Sequence, residues 1–456
     1  MTNPNGTSDA TPGPHFPRGL HHAFLFASFN ALSFQIILSS PMILYAKTLG
    51  ASATVLGIIS GMMPLLVIFQ IPAASHIPRH GYKKFVFAGW GTRVMFIGVM
   101  SLVPLTGRFL GRPSQLAVML SLLFAFNLSR GISSCAWLPW ISSLVPAQIR
   151  GKYLVRDAAC VNMGSFLTFV FAAFVLGQQP APWQFAVIFA FSAATGGVSL
   201  FFLKRIPDVD VPEHQRTGTG PVPWKEISQF PPFRKLLWEC WAWALAYGGL
   251  GAFTIAFLKS ETGMIEEGIL IAASAAFLGG FASLWFIGSR LDSFGSKPVL
   301  TLASLLWIVI SIGWLLLAGK ALAANRPMVL VLELLMGLGA SLINMSNTRL
   351  AMMIVPPMGR DHFFALYSVI LNATLGIAPI IWGVVIDALR GFDVRAGGLD
   401  WNRFSIFFGL VACCFAALLI ACRRLEEPAA ARTDQLFLEL FYQSPRRIWL
   451  RLWPRH

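Results

Sequence analysis

The chain has 456 residues, of which 56% are hydrophobic and only 12% charged, with 38 Phe and 15 Trp. A soluble domain carries about a quarter charged residues, and with a mean hydropathy of +0.66 a water-soluble fold is excluded. The net charge of +15 does not call for nucleic acid, because Lys and Arg gather in alternate loops as membrane topology requires.

Residues 1–19 are polar, rich in Pro and Gly and lack a basic leader region, so they are expected to form a disordered tail and not a signal peptide. Twelve apolar stretches then follow, each long enough to cross a hydrocarbon core of roughly 30 Å. They cover approximately 20–46, 54–77, 84–106, 114–144, 155–177, 183–203, 237–258, 267–288, 299–318, 327–349, 362–388 and 402–422. This predicts an all-α polytopic membrane protein with an N-terminal six-helix half (20–203) and a C-terminal half (237–424). The proline-rich segment 204–236 is the natural linker. In the tail 425–456, Phe437, Leu440, Phe441, Ile448, Trp449 and Trp453 alternate with Arg446, Arg447 and Arg451, which suits a helix lying in the interface. An even count puts both termini on one side. The Lys/Arg bias makes that side cytoplasmic, and a bacterial inner (plasma) membrane is the expected location. The six cysteines sit in or beside apolar stretches without metal-ligand spacing.

The chain also repeats itself. Val145-Pro146, Arg150 and Asn162 recur as Val355-Pro356, Arg360 and Asn372 at the same spacings, and His80-Gly81-Tyr82-Lys83 pairs with Phe294-Gly295-Ser296-Lys297. A duplicated, apolar, polytopic chain is how many secondary transporters are built, with the solute site between the halves.

Ionisable and polar residues inside spans usually face the bundle interior or a water-filled cavity. Span 1 offers Asn30, Ser33 and Gln35, with Pro41 bending its outer part. Span 3 carries Arg93, and span 4 places Asn127, Arg130, Ser134 and Trp137 on one helical face. Span 7 has Trp243 and Tyr247 followed by Gly248-Gly249, a flexing point. Span 10 aligns Glu333, Gly337, Ala340, Asn344 and Asn347, and span 11 aligns Ser368, Asn372, Gly376 and Pro379. Glu333 is expected to exchange protons as access alternates; a fixed ion pair with Arg93 or Arg130 is the alternative. Glu239 and Asp387 lie near helix ends and are expected to be interfacial. Amides with Trp and Tyr faces suit a sugar-like solute, whereas Arg130 suits an organic anion, and both stay open.

The second repeat tract fills a signature of the form G-x-x-x-D-x-x-G-x-[KR] with Gly288, Asp292, Gly295 and Lys297. The first keeps only the basic end, Arg79, Gly81, Lys83 and Lys84, with Ala74 and Pro78 in place of the first Gly and the Asp. On these residues the chain resembles the major facilitator superfamily. The resemblance implies two pseudo-symmetric six-helix bundles working by alternating access, with spans 1, 4, 7 and 10 lining the cavity. From their positions within the spans, substrate contacts are expected from Asn30, Gln35, Asn127, Arg130, Trp137, Trp243, Tyr247, Asn344 and Asn372, and ion coupling through Glu333 and Arg130. Gating falls to Arg79, Gly81, Lys83, Gly288, Asp292, Gly295 and Lys297, with Arg150 and Arg360 in gate or interface roles. Arg130 resembles the span-4 arginine of the superfamily's proton antiporters, although Ser133 stands where they have Gly. No G-x-x-x-x-G-K-[ST] or H-E-x-x-H is present. The expectation is therefore a monomeric carrier of a small organic solute, coupled to protons, without cofactor or metal. A facilitative uniporter or an efflux carrier is the nearest alternative. A transport-dead sensor or a membrane enzyme is the rival from another class.

Overall fold

In hydrocarbon every backbone N–H must find its acceptor inside the segment, so apolar stretches of this length have helix as their only unpaired solution. A computed structural model describes residues 19–74, 76–145, 150–209, 230–286, 295–354, 360–425 and 427. Eleven of its helical segments are long and apolar enough to cross a membrane. The twelfth is Glu266–Phe286, span 8, with Glu266 and Glu267 in its first turn. The N-terminal tail, most of the linker, Gly288, Asp292 and the C-terminal interfacial helix expected from the sequence lie outside the described residues.

Two spans at equivalent places in the halves are broken. Span 1 runs His21–Leu38, turns through Ser39, and resumes as Ser40–Thr48 with Pro41 in its first turn. Span 7 runs Pro231–Tyr247 and Leu250–Glu261, parted by Gly248 and by Gly249 at φ 86°, a conformation other residues adopt only with strain. Span 2 passes from Ala53–Leu66 through a short tight turn into Gln70–Ala74. Span 4 runs Arg112–Ser134 and restarts as Trp137–Leu144. Spans 3, 5 and 6 are Tyr82–Met100, Arg150–Leu176 and Pro182–Arg205. Spans 9 to 12 are Ser296–Ala318, Arg326–Ile354, Arg360–Ala388 and Arg403–Arg423, the last two joined by a hairpin, Asp393–Ala396 with Leu399–Asn402.

Within the first half span 1 packs on spans 5 and 6, and span 3 on spans 4 and 6. Within the second, span 10 packs on spans 8 and 9, and span 12 on spans 7 and 9. Among the described residues the halves meet chiefly through two helix pairs, span 2 on span 11 and span 5 on span 8, with a smaller contact between the outer segments of spans 1 and 7. Call the face where span 1 begins the N-terminal face, and the opposite one the far face. The span 2–span 11 seam is glycine-lined toward the far face. A Cβ at Gly57 would lie 2.2 Å from Pro379 O, one at Gly61 2.2 Å from Gly376 O, and one at Gly383 2.5 Å from Ala53 O. Beside it Glu267 N donates to Gly177 O at 3.2 Å, joining span 8 to the end of span 5.

At the N-terminal face each half is tied by its own device. The two repeat-tract glycines adopt the same backbone, Gly81 at φ 78° before span 3 and Gly295 at φ 87° before span 9. In the second half Glu427 accepts from Ser296 N at 3.0 Å and Lys297 N at 2.7 Å, and pairs with Arg349 of span 10 at 2.7 Å. Lys297 Nζ donates to Leu425 O at 2.8 Å. The first half uses an aromatic tether instead, Trp140 Nε1 donating to Pro207 O at 3.0 Å. Glu427→Ala removes both the helix cap and the ion pair, and is expected to destabilise the second half by about 2 kcal/mol. Thermal unfolding of the purified protein reads this directly, and an unchanged midpoint would remove Glu427 from the scaffold.

Candidate functional site

The site grows outward from an amide. Asn30 of span 1 accepts a hydrogen bond from Trp90 Nε1 at 3.2 Å, which fixes the indole of span 3 against span 1. One helical turn on, the Arg93 guanidinium lies 3.6 Å from the centroid of that ring, at cation–π range. Phe26 and Trp137 complete the aromatic floor, with ring centroids 4.9 Å apart. Span 4 brings Arg130, Ser134 and Trp137, and span 5 brings Asp157, to the same depression, a pocket of about 220 Å³. Arg93 is 5% exposed, and its Nε and Nη2 have no hydrogen-bond partner among the described residues. Among the described residues no ion pair engages Arg93, Arg130 or Asp157. A larger groove of about 920 Å³ between spans 2, 3 and 4 is walled mainly by Phe69, Phe85, Phe96, Leu128 and Ile132, surroundings that suit acyl chains better than a polar solute.

In the second half Tyr247 stacks on Trp243 with centroids 4.5 Å apart, and both meet Trp307 edge-on. Trp243 is 2% exposed and belongs to this aromatic packing. Glu333 is 6% exposed, lies within electrostatic reach of Tyr247, and makes no hydrogen bond or ion pair among the described residues. The ion pair with Arg93 or Arg130 that the sequence left open is absent from this structure. Glu239, expected at the interface, is instead 0% exposed inside the second half, where Cys240 Sγ donates to its Oε2 at 3.4 Å. Asp387 does more than occupy a helix end. Its carboxylate accepts from Ala53 N at 3.1 Å, Thr54 N at 2.8 Å and Thr54 Oγ1 at 2.7 Å, across the seam between the halves.

The structure gathers Asn30, Arg130 and Trp137 into one pocket, while Glu333 and Tyr247 lie in the other half. It places several other predicted contacts elsewhere. Asn127 is 2% exposed and donates back to Leu123 O of its own helix at 2.9 Å. Gln35 Nε2 donates to Ser165 Oγ at 2.8 Å, tying span 1 to span 5. Asn372 Nδ2 donates to Ser368 O at 2.8 Å, while Asn344 is exposed. Among the expected gate residues Arg79 and Lys83 stand at the N-terminal face, and Arg150 and Arg360 open spans 5 and 11 with side chains outside the described set. Sequence reasoning left Arg93 and Asp157 off the site. The available signal was Arg93 one turn beyond Trp90, facing a span-1 amide.

Paired six-helix bundles with charged and aromatic groups at mid-membrane define a membrane transporter, not an enzyme. The model described as Major Facilitator Superfamily matches twice, at residues 23–264 and 249–454, and the chain belongs to that superfamily. No curated protein matches the sequence. In fold the chain is similar to a D-xylose-proton symporter, with TM-score 0.69 and 13% identity over 91% of this chain and 100% of that one. It is also similar to a mutant of the nucleoside transporter NupG (TM-score 0.68, 11% identity, 90% and 100% covered). A POT family transporter in complex with 5-aminolevulinic acid is a third (TM-score 0.67, 14% identity, 90% and 97% covered). At these identities the likeness is one of architecture.

Proposed function

We propose that this chain is a proton-coupled secondary transporter that moves a small organic solute, sugar-like or an organic anion, by alternating access. It acts as a monomer in a bacterial inner membrane with both termini in the cytoplasm, the orientation the Lys/Arg bias favours. Solute binds between the halves, against the first-half pocket of Asn30, Arg130 and Trp137. Rocking of one bundle on the other about the span 2–span 11 and span 5–span 8 seams exposes it to each side in turn. A D-xylose-proton symporter of similar architecture supports the coupling.

The observation that carries the reading is Glu333, a buried carboxyl inside a membrane span with no bonded counter-charge among the described residues. Such groups in spans belong to ion pathways and proton relays. Glu333→Gln is expected to reduce solute accumulation driven by a pH gradient about tenfold or more in proteoliposomes, as loss of a coupling proton requires. Counterflow of labelled solute, which needs no gradient, should survive the change. Gradient-driven accumulation at the wild-type level in the variant would remove Glu333 from coupling. A wild-type protein that exchanges solute but ignores the gradient would be a uniporter, and one that exchanges no solute would be a sensor.

A further inference from the structure

We infer that the first-half pocket binds the anionic end of the solute, a single carboxylate seated between Arg93 and Arg130, with the solute body against Trp90 and Trp137. This rests on the carrier reading above and names the substrate class of the same site.

Arginine carries five N–H donors, and buried ones are nearly always bonded. Arg93 is 5% exposed, yet its Nε and Nη2 have no partner among the described residues. The surroundings do not supply the missing anion. Arg130 shares the pocket of about 220 Å³ and adds a second positive charge, and the one carboxyl on the wall, Asp157, pairs with neither. Two cations at such range repel each other, and an uncompensated charge inside a bilayer is costly to hold. An oxyanion arriving with the solute answers both costs together.

The aromatic groups make the arrangement a binding site instead of a defect. Trp90, held by Asn30, supports Arg93 through its ring face at 3.6 Å. A guanidinium stacked by its face keeps its N–H edges for a bidentate oxyanion. Trp137 and Phe26 offer apolar surface beside it. Asp157 sets the charge of the guest. Two arginines against one aspartate match a monoanion, and Asp157 would repel the second charge of a phosphate monoester. Carboxylate is favoured on that count.

The test is binding by the purified full-length protein in detergent, followed by thermal shift and by quenching of tryptophan fluorescence. The probes are benzoate, phenylacetate and indole-3-acetate, each beside its neutral amide, together with phenyl phosphate. At least one acid should stabilise the protein where its amide does not. Arg93→Gln and Arg130→Gln should each weaken that acid about tenfold or more, and Arg93→Lys, which keeps charge but loses the fork, should recover part of the loss. Should Arg93→Gln fail to fold, Arg130→Gln, at a half-buried position, carries the test. Amides that bind as well as acids, acids that bind both Gln variants like the wild type, or a panel in which no anion binds would each overturn the inference. Phenyl phosphate binding above every acid would overturn the choice of carboxylate. Binding in detergent needs no transport, so the two readings fail separately. Anion binding without counterflow sinks the carrier alone, and counterflow of a neutral solute that Arg93→Gln leaves intact sinks the anion site alone.

Discussion

Replacing Asp387 with alanine is expected to unseal the far face, raising the population of the state open on that side about 30-fold. The first turn of any helix has N–H groups without intrahelical acceptors, and a carboxylate placed there satisfies donors and complements the helix dipole together. Span 2 begins at Ala53, and the carboxylate that meets its first two amides comes from the end of span 11, in the other half. The cap therefore exists only while the halves touch at that face. With the Thr54 hydroxyl as a third donor, its loss is worth about 2 kcal/mol, the upper end for a helix cap. Because the loss falls on one of two conformations, it converts directly into population, about 30-fold at that magnitude. Asp387→Asn keeps one acceptor oxygen and should move the balance part of the way. Probes attached at Gln178 and Ala323, exposed far-face positions in opposite halves, report the separation by distance spectroscopy. An unchanged distance distribution in Asp387→Ala would show that the cap does not hold the gate.

How far the sequence carried the reading follows from what a repeat and a period can encode. The duplicated tract Val145-Pro146…Asn162 and Val355-Pro356…Asn372 runs into spans 5 and 11, and these are the helices that reach across to spans 8 and 2. The two copies, one in each half, serve equivalent seams. Gly81 and Gly295 were legible for a second reason, since the positive φ each adopts is one that few other residues tolerate. The solute site was half legible. Helical spacing put Asn127, Arg130, Ser134 and Trp137 on one stripe, yet span 4 breaks after Ser134, and Asn127 bonds its own backbone. A period names the residues that share a face but not the neighbour that face meets. For the same reason Trp243 was assigned to a cavity when it packs on Tyr247 and Trp307. Asp387 reads from sequence only as an interfacial charge near a helix end, because its partners are backbone amides over three hundred positions away, which side-chain pattern does not reveal.

The glycines separate two kinds of defect that look alike in the sequence. Gly61→Val is expected to leave the protein folded but to abolish solute exchange. Its Cβ would lie 2.2 Å from Gly376 O, in the seam between halves, so the clash vanishes as soon as the far face opens. The variant can escape strain by abandoning one conformation, and its stability should hold within the roughly 0.5 kcal/mol expected for a neutral change. Gly337→Val has no such escape. Its Cβ would lie 1.7 Å from Ala276 O, between spans 10 and 8 of the same half, an approach that persists in every conformation of a rigid bundle. Overpacking of that kind costs about 1–3 kcal/mol or more, so this variant should lose thermal stability and yield of monodisperse protein. Counterflow and thermal unfolding measured on both variants decide the matter. If Gly61→Val exchanged solute at the wild-type rate, or if Gly337→Val melted with the wild type, then rigid bundles rocking on a glycine seam would be the wrong description of how this molecule moves.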